Sequence, residues 1–260
     1  MEANYLTSKN GQKIFSVYHE PKIKSRAGEG IIMCYPLGQE YIRAYRTCIK
    51  LAEALCARGF HVLRFDYSGT GDSSGLFEEA SVKDWLADIK CAAEEFSASL
   101  GLEEINLCGV RFGASLAALF MEKYQLALNR LLLLYPVCRG AEHIAEIRKE
   151  WKTGLAGSFA AGKTRSRFSE ISGFTYTDAL LEEIKKIDLF RLNFNNIKKI
   201  ILLENENNPR VQNLYTYIAG FHKNCVRLRG CPHAFPGPGA DEEKKNIVPE
   251  LDIRQIADAV

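Results

Sequence analysis

Residues 107–115 of this chain read LCGVRFGAS, an apolar run that enters a turn flanked by two glycines. The spacing is that of G-x-S-x-G, in which a strand, a sharp turn and a helix expose one central side chain above a sheet. The central position normally carries a nucleophile, but here it carries Arg111. The stretch therefore predicts the turn and leaves open what a guanidinium does at its tip.

Length and composition indicate an ordinary globular protein. The chain has 260 residues, of which 47% are hydrophobic and 25% charged, with a formal net charge of +2. This length fits one α/β domain with an insertion. A nearly neutral chain without clustered basic residues gives no reason to expect binding to nucleic acid or to a membrane surface.

No apolar run approaches the ~20 residues that a membrane span needs, and no signal peptide is recognisable. We therefore expect a cytoplasmic protein. The eight cysteines are scattered without a C-x-x-C pair, which favours free thiols in a reducing compartment and predicts neither a metal site nor a cofactor. They are Cys34, Cys48, Cys56, Cys91, Cys108, Cys138, Cys225 and Cys231.

Strand-like and helix-like segments alternate along the chain. This pattern predicts an α/β fold with a mainly parallel, doubly wound sheet, preceded by a hairpin at Asn10-Gly11. The predicted strands are 5–8, 13–18, 30–35, 60–65, 105–108, 130–135, 199–203 and 225–228. The predicted helices are 44–58, 80–98, 114–124, 215–221 and 253–260.

The alternation breaks once, over residues 141–196, which are too many for a simple connection between a helix and a strand. We interpret them as a cap insertion in a core formed by residues 1–140 and 197–260. Residues 157–164, GSFAAGKT, satisfy the P-loop pattern, but neither a buried strand before them nor a helix after them is predicted. A loop of the cap is the better interpretation than a nucleotide site.

Three motifs together resemble a known family. Residues 65–75, FDYSGTGDSSG, resemble the FDYRGxGDSxG segment of α/β hydrolases of the serine-aminopeptidase-like group. With GVRFGAS and residues 171–180, ISGFTYTDAL, the chain resembles exosortase-system-associated hydrolases, whose elbow carries Arg or Cys instead of Ser. The resemblance implies an α/β-hydrolase fold from about residue 14 to the C-terminus.

The resemblance also implies where a catalytic triad would lie. His233, in GCPHAF, occupies the histidine position, and the other four histidines lie in a strand or in polar stretches. The acid position carries Asn208 instead of Asp, with Glu206 or Glu204 as possible substitutes or solvated loop charges. The backbone N–H groups of Leu37 and Phe112 would form the oxyanion hole.

The chemistry of these residues argues against covalent hydrolysis through the elbow. A guanidinium with a pKa above ~12 cannot attack a carbonyl, and the Asn208 amide can orient a histidine but cannot balance its charge. Strand alternation buries Cys108, and Ser115 lies one turn into the helix, so neither is expected to replace the missing serine.

Two roles remain open for Arg111. At a helix N-terminus, its planar fork suits a carboxylate or phosphate; alternatively it pairs with Glu204, Glu206 or Asp66 and is purely structural. The corresponding functions are binding of a small anionic or acyl molecule, with non-hydrolytic chemistry by His233, or a catalytically silent scaffold in a biosynthetic or export pathway. A third is an ester or thioester hydrolase with an unrecognised nucleophile.

Overall fold

The architecture comes from a computed structural model of the chain. It describes residues 1–8, 11–23, 26, 28–124, 128–155, 168–205, 208–230 and 250–260. The P-loop-like stretch at 157–164, Asn10 of the predicted hairpin turn, Glu206, Cys231 and His233 therefore lie outside the described residues.

Eight strands form one sheet in the order β1-β2-β4-β3-β5-β6-β9-β10. β2 is antiparallel to β1 and to β4, and the other neighbours are parallel. This confirms the predicted hairpin pairing and the mainly parallel sheet. The strands are β1 Glu2–Thr7, β2 Lys13–His19, β3 Glu29–Cys34, β4 His61–Phe65, β5 Glu104–Val110, β6 Leu128–Leu134, β9 Ile197–Asn205 and β10 Cys225–Gly230.

Helices flank this sheet, and the five predicted helices are all present. They are α1 Gln39–Ala57, α2 Val82–Leu100, α3 Phe112–Tyr124, α6 Pro209–Ala219 and α7 Glu250–Ala259. α1 begins five residues earlier than predicted, directly after Gly38. The early start matters because it places Glu40 in the first turn of the helix, beside the end of β3.

The connection between β6 and β9 contains regular structure where the sequence suggested an irregular stretch. Its elements are α4 Gly140–Leu155, the antiparallel hairpin of β7 Phe168–Ile171 and β8 Phe174–Thr177, and α5 Asp178–Lys185. Buried residues of this connection, among them Tyr176 and Leu180, join the main hydrophobic core. The hairpin packs against a short 3₁₀ turn at Phe77–Glu79.

The loop after β4, residues 66–75, is anchored to α2 by a buried carboxylate. Asp88, 2% exposed, accepts hydrogen bonds from the Ser68 backbone N–H (2.8 Å) and hydroxyl (3.0 Å). Burial raises the pKa of Asp88 to about 6, although both Ser68 bonds act in the opposite direction. The loop is thus held by a carboxyl group whose ionisation is made unfavourable by burial.

This anchor predicts a pH-dependent stability. Because the pKa of Asp88 is higher in the folded chain than in the unfolded one, its contribution to stability is greatest at low pH and is lost between about pH 4 and pH 6. Asp88→Asn removes this titration. The free energy of unfolding of the variant minus that of wild type should rise by roughly 2 kcal/mol across that interval, as measured by urea unfolding. A difference that is flat with pH would contradict the assignment.

Candidate active site

The elbow forms as predicted and is strained. Arg111 lies between the end of β5 and the start of α3 with φ 53°, a left-handed conformation that costs a non-glycine residue about 1–2 kcal/mol. A Cβ at Gly109 would lie 2.3 Å from Ala114 Cα, and one at Gly113 would lie 2.2 Å from the Cys34 carbonyl oxygen. The close approach of strand and helix thus requires both glycines.

The Arg111 side chain is held by Glu40, in the first turn of α1. Nε and Nη2 of Arg111 both lie 2.8 Å from Oε1 of Glu40, and Nη1 donates to the Tyr135 carbonyl oxygen at 3.3 Å. The two charged side chains are only 15% and 18% exposed. The guanidinium therefore already has an internal carboxylate as its partner.

This partner differs from the candidates that the sequence suggested. Glu204 is 1% exposed and pairs with Arg227 on the neighbouring strand β10, so it is neither a solvated loop charge nor a partner of the elbow. Asp66 accepts from the Tyr41 hydroxyl and the Asp72 backbone N–H. Glu40 was missed because the predicted start of α1 left it in a loop.

Glu40 stays ionised in this setting. Burial alone would raise its pKa, but the charge and hydrogen bonds of Arg111, together with His143, lower it below the usual range. The N-terminus of α1 also favours a carboxylate there. Oε2 of Glu40 is buried and has no hydrogen-bond partner among the described residues.

His143 is a second residue that the sequence interpretation missed. It lies on α4, 7% exposed, with its ring stacked on Phe112 at a centroid distance of 5.5 Å. Burial and the charge of Arg111 lower its pKa, whereas Glu40 and Glu146 oppose the shift. His19, His143 and His222, which lie in polar stretches of the sequence, are all buried in the structure.

A small crevice of about 30 Å³ lies beside the elbow, which is room for about one water molecule. The crevice is lined by Arg111, His143 and Asn208. Paired acidic and basic side chains of α4, α6 and the loop before α4 complete the lining. Among these side chains, Arg210 pairs with Glu142 (2.8 Å) and with Glu146, while Arg139 lies 3.4 Å from Glu142. The positive charges at this crevice are thus largely neutralised.

The other predicted site residues have the following positions. Asn208 caps α6, with its Oδ1 accepting from the Arg210 backbone N–H at 3.1 Å. Cys108 and Ser115 are both 0% exposed, and the Ser115 hydroxyl donates to the Val137 carbonyl oxygen. Neither side chain has the exposure of an elbow nucleophile.

The two backbone donors expected for an oxyanion hole lie at the start of helices or just before them. Leu37 precedes α1 and Phe112 is the first residue of α3, and both residues are buried. Among the described residues, neither N–H group donates to a protein acceptor. Backbone N–H groups in the interior of a protein nearly always have a partner, so these two N–H groups are candidate donors to a bound acceptor atom.

No helix of the described residues is long and apolar enough to cross a membrane.

Comparison with solved structures gives the same architecture. The chain superimposes on Est1E from Butyrivibrio proteoclasticus, in a structure titled with bound ferulic acid, with a TM-score of 0.68, 18% identity and coverage of 98% of this chain and 100% of that one. The esterase Pf2001 from Pyrococcus furiosus superimposes with a TM-score of 0.65 and 14% identity, covering 99% of this chain and 89% of that one. A proline iminopeptidase from Mycobacterium smegmatis superimposes with a TM-score of 0.65 and 9% identity, covering 99% of this chain and 97% of that one. At these identities the likeness concerns the fold.

Sequence comparison identifies the family. No curated protein matches the chain. The family model described as serine aminopeptidase, S33, matches residues 36–188, more than half of the chain, including the loop after β3, the elbow and most of the described connection between β6 and β9. The chain therefore belongs to the serine aminopeptidase S33 family and has the α/β-hydrolase fold.

Proposed function

We propose that this protein binds the acyl group of a small molecule at the elbow and does not hydrolyse it through a covalent intermediate. The observation that carries the proposal is the pairing of Arg111, at the nucleophile position, with Glu40, close to the N–H groups of the buried residues Leu37 and Phe112, which have no acceptor among the described residues. The amides are suited to a carbonyl oxygen, and within the described part of the chain Cys108 and Ser115 are too buried to act as nucleophiles beside them.

The ion pair also selects the charge of the ligand. An unpaired Arg111 would favour carboxylates and phosphates, but Glu40 supplies that carboxylate from within the chain. An added anion would have to displace Glu40 and bury it without a partner, which is costly. A neutral carbonyl, as in an ester or thioester, needs no such displacement and is therefore the favoured ligand, ahead of a free acid.

A catalytically silent scaffold is the second candidate. It is favoured by the tight packing at the site, where Tyr176 lies against Gly38 and the crevice beside Arg111 is small. Binding of a small acyl compound distinguishes the two, because a scaffold has no reason to keep an affinity for one. An enzyme with an unrecognised nucleophile has less support, since Cys108 and Ser115 are buried.

The first test concerns hydrolysis. Wild type should hydrolyse nitrophenyl esters no faster than an unrelated protein does. The hydrolysis rate of Arg111→Ser should exceed that of its matched control, Arg111→Ala, by less than about tenfold. The hydroxyl alone is insufficient because Asn208 cannot stabilise an imidazolium; loss of the corresponding acid costs ~10⁴ in kcat in serine proteases. Saturable turnover by wild type that is abolished by His233→Ala would contradict the proposal.

The second test concerns ligand charge. Glu40→Gln removes the internal carboxylate and leaves Arg111 positively charged, so octanoate should bind to this variant at least about tenfold more tightly than to wild type. The double variant Glu40→Gln/Arg111→Ala is the control and should lose the gain. Calorimetry or a shift in Tm measures the affinity. Equal octanoate affinity in wild type and Glu40→Gln would show that the ion pair does not select the ligand.

A further inference from the structure

The β7–β8 hairpin brings a phenol to the edge of the proposed acyl site. Tyr176, on β8, is 5% exposed. A Cβ built at Gly38 would lie 2.7 Å from the Tyr176 hydroxyl oxygen, and Gly38 has φ 58°. The hydroxyl therefore lies directly against the residue that follows Leu37, whose N–H is one of the two unpaired amides.

The Tyr176 hydroxyl has no hydrogen-bond partner among the described residues. A buried tyrosine hydroxyl normally has one, because its desolvation is otherwise uncompensated. A buried phenol without such a partner, next to the residue that follows Leu37, is positioned to donate to a ligand atom.

A chain of ring contacts connects Tyr176 with the second amide. Its ring packs edge to face against Phe77, with the ring centroids 4.9 Å apart. The centroid distance is 5.9 Å between Phe77 and Trp85 and 6.4 Å between Trp85 and Phe112. Trp85 and Phe112 are each 0% exposed. Because these rings are closely packed, the position of the phenol relative to the start of α3 is well defined, as a precise donor arrangement requires.

The electrostatics keep the phenol in its donor form. Burial, and after it the negative charge of Glu40, raise the pKa of Tyr176 above its usual range. The hydroxyl is therefore protonated at any physiological pH and offers one O–H to an acceptor. The same negative charge of Glu40 disfavours an anionic ligand at this position.

We propose that Tyr176 donates a hydrogen bond to the oxygen of a neutral acyl carbonyl, an ester or thioester, beside the N–H groups of Leu37 and Phe112. The inference rests on the proposed function and adds a binding residue to it. It assigns the β7–β8 hairpin a direct part in recognition: the hairpin supplies the donor from the connection between β6 and β9, whereas the two amides belong to the core.

The test uses ethyl octanoate labelled with ¹³C at the carbonyl carbon. Tyr176→Phe keeps the ring and its contact with Phe77 but removes the O–H. The variant should bind the ester about fivefold more weakly, and the carbonyl resonance of the bound ester should move upfield relative to its position in wild type because one hydrogen bond is lost. Tyr217→Phe is the control: it removes a hydroxyl that donates to the Leu192 carbonyl oxygen and should change neither quantity.

The outcomes separate the two proposals. If wild type binds the ester and Tyr176→Phe binds it equally well with an unchanged carbonyl resonance, the role of Tyr176 is overturned and the proposed function stands. If wild type does not bind the ester, both are overturned. Should Tyr176→Phe fail to fold, wild type labelled with ¹³C at tyrosine Cζ provides the decision. A Cζ resonance that moves on ester binding supports the contact, and unchanged tyrosine resonances refute it.

Discussion

The ion pair between Arg111 and Glu40 is the interaction on which the rest of the site depends. The elbow holds Arg111 in a left-handed conformation. Its side chain extends towards the start of α1, where Oε1 of Glu40 contacts both Nε and Nη2 of Arg111. A guanidinium in so enclosed a position would be strongly destabilising without a counter-charge, and Glu40 would be equally unfavourable without Arg111. The two residues therefore stabilise one another across β5 and α1.

This pairing changes the chemistry that the elbow can perform while keeping its geometry. A serine at the same position would be a small nucleophile beside two amide donors, whereas the paired Arg111 is a large neutralised group. The N–H groups of Leu37 and Phe112 belong to the backbone before α1 and at the start of α3, so they are present whatever side chain the elbow residue carries. Under the proposed function, recognition of a carbonyl persists in a family member whose elbow carries no serine.

The connection between β6 and β9 completes the surroundings of the elbow from two directions. α4 brings His143 onto the Phe112 ring, and the β7–β8 hairpin brings Tyr176 onto Gly38. Both residues are electrostatically coupled to Glu40. The core supplies the two backbone N–H groups and the ion pair, while this connection supplies an imidazole and a phenol.

Hydrophobic periodicity and glycine spacing are local properties of the chain, so the eight strands of the main sheet, five helices and the elbow with its central arginine could be predicted from the sequence. Three contacts of the site could not be predicted in this way: Arg111 with Glu40, His143 with the Phe112 ring, and Tyr176 with Gly38. Residue pairs separated by 71 positions, as Arg111 and Glu40 are, leave no local pattern. Their pairing follows from the parallel register of β3 and β5, which brings the loops after both strands to the same edge of the sheet.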